Sequence, residues 1–190
     1  MKTKLIFSFF FIIFGVAMRL FMVKFIKIPN LEIVTSFSLI SGAILGGIFT
    51  LIIPLSIIAV TDMYIGNTSI LLFTWSAFAL IGVFGWVLRD RKSFNFSFVF
   101  EMTGMGILAS LFFYLYTNLG WWLLSDMYSH TFEGLVHCYI MGLPFFKTNL
   151  LGNLFFVPFF TFFVLTVEKC YLGSKVKLLS LLKFKYDSLR

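Results

Sequence analysis

The run SILLFTWSAFALIGVFGWVLRDRK, residues 69–92, sets the fold. Residues 69–88 carry no charged side chain, and Arg89, Asp90, Arg91 and Lys92 follow at once. About 20 uninterrupted apolar residues is the length that crosses a bilayer as a helix, and a basic cluster beyond it marks the water-facing end. Five more apolar segments flank this one, at about 5–23, 33–49, 50–65, 97–117 and 148–167. The second and third are short for a span, which predicts tilt or burial below the surface. The expected fold is an all-α integral membrane bundle of six transmembrane helices.

Composition agrees. The chain of 190 residues is 60% hydrophobic and 12% charged, with 28 Phe and a mean hydropathy of +1.00. A soluble domain of this size cannot hide that much apolar surface. The net charge of +7 therefore speaks of membrane topology and not of nucleic acid. With the N-terminus inside, eleven of the fifteen Lys and Arg fall on the cytoplasmic side. Arg19, Lys24, Lys27 and Lys147 fall on the other. This bias predicts a protein of the plasma membrane with both termini cytoplasmic. Residues 1–170 read as one transmembrane domain. Residues 171–190, ending GSKVKLLSLLKFKYDSLR, read as a basic amphipathic cytoplasmic tail on anionic lipid, or as a frayed basic end. A rival start exists: MKTKLIFSFFFIIFGVA resembles a signal peptide, and cleavage near Ala17 would leave five spans. Cys138 and Cys170 fall near opposite ends of the bundle, and neither has a metal-ligand spacing.

Gly42 and Gly46 form GxxxG in the second segment, which lets another helix approach closely. Specific polar chemistry gathers in the outward connections: Arg19–Glu32, the stretch TDMYIGN at 61–67, and NLGWWLLSDMYSHTFEGLVHCYIMGLPFFK at 118–147. Asp62 stands at the edge of an apolar segment, where a charge needs a partner or water. Arg19 is the natural partner; a wet helix cap is the plain alternative. Pro54 in the same segment frees a backbone carbonyl. Trp121, Trp122 and Tyr128 suit either an interfacial belt or stacking on a flat ligand. Asp126, His130, Glu133 and His137 are spaced by four, three and four. On a helix they share one face, which is a transition-metal stripe, a solvated stripe of an interfacial helix or a set of hydrogen bonds to a ligand. Pro144 is expected to end a short re-entrant or surface helix before the last span, folding the third connection back as a lid. No GxSxG, HExxH or phosphate loop is present, so no enzyme class and no cofactor is implied. Active transport would draw on partner proteins or an ion gradient.

Arg19…Pro29-Asn30, SLISGAILGG, LIIPLSIIAVTDMYIG, SLFFYLYTNLGWWL, Tyr128, GLVHCY and GLPFFKTNLLGNLFF together resemble, over about 19–160, an uncharacterised group of six-span bacterial membrane proteins. That group is similar to the substrate-binding S components of energy-coupling-factor vitamin transporters. The resemblance implies a six-helix bundle with both termini inside and a pocket closed by outward loops. It also implies a vitamin-like solute or metal ion as cargo, with a membrane coupling protein and two cytoplasmic ATPases as partners. Ligand-facing positions by this analogy are Asp62, Asn67, Asn118, Trp121, Trp122, Tyr128 and His137, joined by Arg19 and Asn30 from the first outward loop. Two features depart from the pattern. LIFSFFFIIF lacks the small residues at which S components dock, and PNLEI lacks a second proline. Three other readings stand beside this one. They are a metal-uptake protein using Asp126, His130, Glu133 and His137, an integral-membrane enzyme with Asp62 or His137 as general base, and an assembly protein without ligand.

Overall fold

A computed structural model describes residues 2–66 and 69–187 of the protein, with side chains over 4–66 and 69–171. Among the described residues all regular structure is helical. The six α-helices are α1 (Lys2–Phe21), α2 (Val34–Ile40), α3 (Phe49–Ile65), α4 (Leu71–Val87), α5 (Phe96–Leu124) and α6 (Phe132–Asp187). Single π-helical segments extend α1 over Met22–Ile26 and α2 over Ser41–Leu45. Four stretches are long and apolar enough to cross a membrane: Lys4–Ile26, Leu71–Arg91, Phe96–Leu124 and Phe132–Tyr171. Val34–Leu45 and Phe49–Ile65 are shorter apolar helices.

The second helix explains the architecture. Every residue of Val34–Ile40 is buried, and α2 touches all five other helices. It is the axis of the bundle and meets no lipid. That placement tolerates Thr35, Ser36, Ser38 and Ser41 in its sequence. Ser38 and Ser41 return hydrogen bonds to the carbonyls of Val34 and Ser38, both at 2.8 Å. Gly42 does what the GxxxG pattern promises, and its partner is α4. A Cβ on Gly42 would overlap the Gly82 carbonyl oxygen, and one on Gly85 would overlap that of Leu39. Backbone-to-backbone contact of this kind replaces the hydrophobic driving force that lipid does not supply. Gly46 has a different task. Its φ of 62° ends the π-segment, and the Arg89 guanidinium lies where its Cβ would be. Lys4 Nζ donates to the Leu45 carbonyl at 2.7 Å. Two cations thus sit at the carbonyl end of the central helix, where its dipole is negative.

Pro54 lies within α3. A proline cannot donate to the carbonyl four residues back, here that of Thr50. Gly82 of α4 packs on this carbonyl oxygen, so the site of the missing bond is also a point of close helix approach.

The long polar stretch at 118–147 folds differently from expectation. It is the upper part of a helical hairpin: α5 runs on to Leu124, seven residues turn, and α6 starts at Phe132. Pro144 does not end a re-entrant helix; α6 passes through both Pro144 and Pro158. Neighbouring side chains hold this part of the helix in place. The Tyr114 hydroxyl donates to the Tyr139 carbonyl at 2.6 Å, and that of Tyr139 to the Leu115 carbonyl at 2.9 Å. Gly142 lies against the Asn118 side chain. The Thr131 hydroxyl accepts from Gly134 N at 3.2 Å and starts the helix. The 40 residues Phe132–Tyr171 make a rod of about 60 Å, roughly twice the thickness of a hydrocarbon core. The backbone of α6 is helical to Asp187. The side chains of the basic tail beyond 171 lie outside the described residues.

A candidate solute-binding cavity

The site is built around an ion pair. Arg19, near the end of α1, meets Asp62, in the last turn of α3, at 3.0 Å. Trp75 of α4 donates its indole N–H to the other Asp62 oxygen at 2.8 Å. Arg19 also donates to the Thr61 hydroxyl, which in turn donates to the Ile57 carbonyl at 2.7 Å. The Asp62 side chain is 7% exposed and that of Arg19 19%. Asp62 is therefore no wet cap. Its charge is matched where burial makes an unmatched one costly, and the pair ties α1, α3 and α4 together.

Beside this pair lies a cavity in two lobes. One has a volume of about 480 Å³, and Asn118, Trp121, Tyr128 and Cys138 stand in its wall. The other has about 460 Å³ and is lined by Arg19, Lys27 and Glu32. Asn30, Thr74 and Phe113 belong to both walls, so the lobes adjoin. The first lobe is aromatic with a few amides and hydroxyls; the second is charged. Asn30 reaches this shared wall from a turn in which its φ is 57°, a left-handed conformation that asparagine adopts more readily than most side chains.

From the second lobe a polar ladder descends into the core. Glu32 accepts from Thr35 N at 3.0 Å, from the Thr35 hydroxyl at 2.6 Å and from Asn149 Nδ2 at 3.2 Å. Asn153 Nδ2 then donates to Asn149 Oδ1 at 3.0 Å and to Ser110 Oγ at 2.9 Å. Asn149 and Asn153 are buried, as are Thr35 and Ser110.

Five of the positions expected from sequence thus line the cavity: Arg19, Asn30, Asn118, Trp121 and Tyr128. Asp62 stands behind them as the partner of Arg19. Trp122 and His137 do not line it. Trp122 closes the hairpin turn by donating to the Ser129 carbonyl at 2.9 Å, and its ring meets His130 edge-on. His137 meets Tyr128 edge-on at 5.5 Å and is exposed. Asn67 lies outside the described residues. Asp126, His130, Glu133 and His137 do not form the proposed stripe. α6 begins only at Phe132, so the first two stand in a turn, and all four are exposed. Among the described residues no group of three or more His, Cys, Asp or Glu is placed to hold a metal. The sequence reading missed Glu32, Asn149 and Asn153. The signal was there: two asparagines four apart inside an apolar run share one helix face.

Residues 1–174 match a family described as of unknown function, DUF6580. The chain belongs to that family. No curated protein and no solved structure matches it. The matched range covers the whole cavity and the ladder, since every residue of either lies within it.

Proposed function

We propose that this DUF6580 protein is a membrane subunit that captures a small, flat, polar-edged solute from outside the cell. In this reading all six helices form one transmembrane unit of the S-component type in the plasma membrane, with both termini cytoplasmic. The observation that carries it is the two-lobed cavity beside the Arg19–Asp62 pair. Each lobe has a volume in the range of about 300–1,000 Å³ usual for small-molecule sites. Trp121, Tyr128 and Phe113 offer aromatic faces to a ring, and Asn118, Asn30 and Thr74 offer hydrogen bonds to its edge. The distribution of Lys and Arg supports an outward opening, because Lys4, Arg89 and Lys92 gather at the opposite end. With no nucleotide-binding motif in the chain, uptake would draw its energy from a coupling protein and ATPases. The S-component resemblance supports that arrangement. No specific observation favours a metal-uptake protein or a membrane enzyme.

The test is a thermal-stability screen of the purified protein against water-soluble vitamins and other flat heterocycles. A ligand that binds only the folded state adds about 2.7 kcal/mol at a hundredfold excess over Kd. The expected result is stabilisation by one chemical group of compounds, lost in Asn118→Ala. Stabilisation that persists in Asn118→Ala and Trp121→Ala alike would place binding elsewhere.

A further inference from the structure

The ladder below the second lobe has a direction. A carboxylate only accepts, so Asn149 must turn its Nδ2 toward Glu32 and its Oδ1 toward Asn153. Asn153 must then turn its Nδ2 outward, toward Asn149 and Ser110. Every amide donor is drawn toward Glu32, and an acceptor is left at the inner end. Asn153 Oδ1 is that acceptor: it is buried and has no hydrogen-bond partner, on a side chain 1% exposed. A second buried oxygen, Ser36 Oγ, also has no partner, on a side chain wholly buried. Asn153 stands one turn inward of Asn149 on α6, and Ser36, in the first turn of α2, follows Glu32 by four residues; the two helices are in contact. Leaving such an acceptor unmatched is costly, and a ligand that satisfies it recovers that cost.

The charge balance points the same way. Arg19 is matched by Asp62. Glu32 is held by neutral donors alone, and among the described residues no Lys or Arg forms an ion pair with it. Glu32, which has no ion pair among the described residues although Lys27 lines the same lobe, thus lies one turn outward of two buried oxygens that each have no partner. We propose that Asn153 Oδ1 and Ser36 Oγ, with Glu32 supplying the compensating charge, form a binding site for a monovalent cation of the sodium type. Hard oxygen donors suit an alkali cation, and a single carboxylate balances one positive charge where a divalent ion would need more. The site does not depend on the solute reading, and it can be tested with no solute present.

The test uses the full-length protein in mild detergent at constant ionic strength, with sodium replaced stepwise by choline. The melting temperature is followed together with binding of radioactive sodium. The expected result is a saturable rise in stability with sodium and none with choline, and a single sodium bound per chain. Glu32→Gln and, as a milder change, Ser36→Ala should weaken sodium binding about tenfold or more. Equal stability in sodium and choline overturns the proposal and leaves the unmatched oxygens to buried water. So does a stability that follows pH and not sodium, which would make Glu32 a proton site. A sodium response unchanged in Glu32→Gln and Ser36→Ala places the ion elsewhere and also overturns it. Loss of solute binding with sodium binding intact would count against the solute reading alone.

Discussion

Asp62→Ala is the most informative perturbation of the folded bundle. The change removes the carboxylate that meets Arg19 at 3.0 Å and accepts from the Trp75 indole at 2.8 Å. Removing one partner of a buried ion pair costs about 3–5 kcal/mol, because the other charge is left uncompensated. Arg19 keeps some contact with solvent and with Thr61, which favours the lower end, about 3 kcal/mol. The stranded indole N–H adds about 1 kcal/mol. Asp62→Asn retains an acceptor for Trp75 and should lose only about 2 kcal/mol. Arg19→Ala removes the counter-charge of the buried carboxylate and should cost about 3 kcal/mol, the lower end for a broken buried pair. The assay is reversible unfolding in mixed micelles for the wild type, both single alanine variants and the double variant. The double variant should be about 1–3 kcal/mol more stable than the sum of the single losses predicts. Single effects within about 0.5 kcal/mol, adding without coupling, are the signature of exposed, independent side chains. That result would refute the ion pair as the tie between α1, α3 and α4.

Other perturbations probe the packing. Gly85→Ala places a methyl group against the Leu39 carbonyl and should cost about 1–3 kcal/mol, read as a lower melting temperature. Gly104→Ala, where nothing lies within 4 Å of the added carbon, should be neutral or slightly stabilising in the same assay. Tyr114→Phe removes the donor to the Tyr139 carbonyl and should cost about 1 kcal/mol. Faster proteolysis in the turn at 125–131 would report the accompanying loosening of the hairpin. Asn153→Leu should abolish any sodium-dependent stability, whatever its effect on the baseline melting temperature.

Sequence pattern reached the helices because apolar length is a strong signal in a membrane chain. It also reached the Arg19–Asp62 pair, since a charge at the edge of an apolar run has few ways of being satisfied. The stretch at 118–147 misled for a physical reason. Pro144 reads as a breaker in water, but here it lies in a helix held by its neighbour through the Tyr114–Tyr139 exchange of hydrogen bonds. The His and carboxylate spacing then pointed to one helix face that does not exist, because helix begins only at Phe132. The central position of α2 was equally hidden. Its serines and its shortness make sense only once the other five helices surround it. Glu32, Asn149 and Asn153 are less legible because polar chemistry in such a chain concentrates in the connections, and two of the three lie inside a span.

The most direct measurement is native mass spectrometry of the protein released from mild detergent, beside Trp121→Ala and Trp122→Ala. Trp121 lines the cavity, while Trp122 closes the hairpin turn outside it. A small molecule bound in fixed ratio to the wild type and to Trp122→Ala, and absent from Trp121→Ala, is the predicted result. A bound solute that survives Trp121→Ala but is lost from Trp122→Ala would contradict the placement of the site. An empty protein under conditions that preserve known bound solutes in other membrane proteins would contradict solute capture itself.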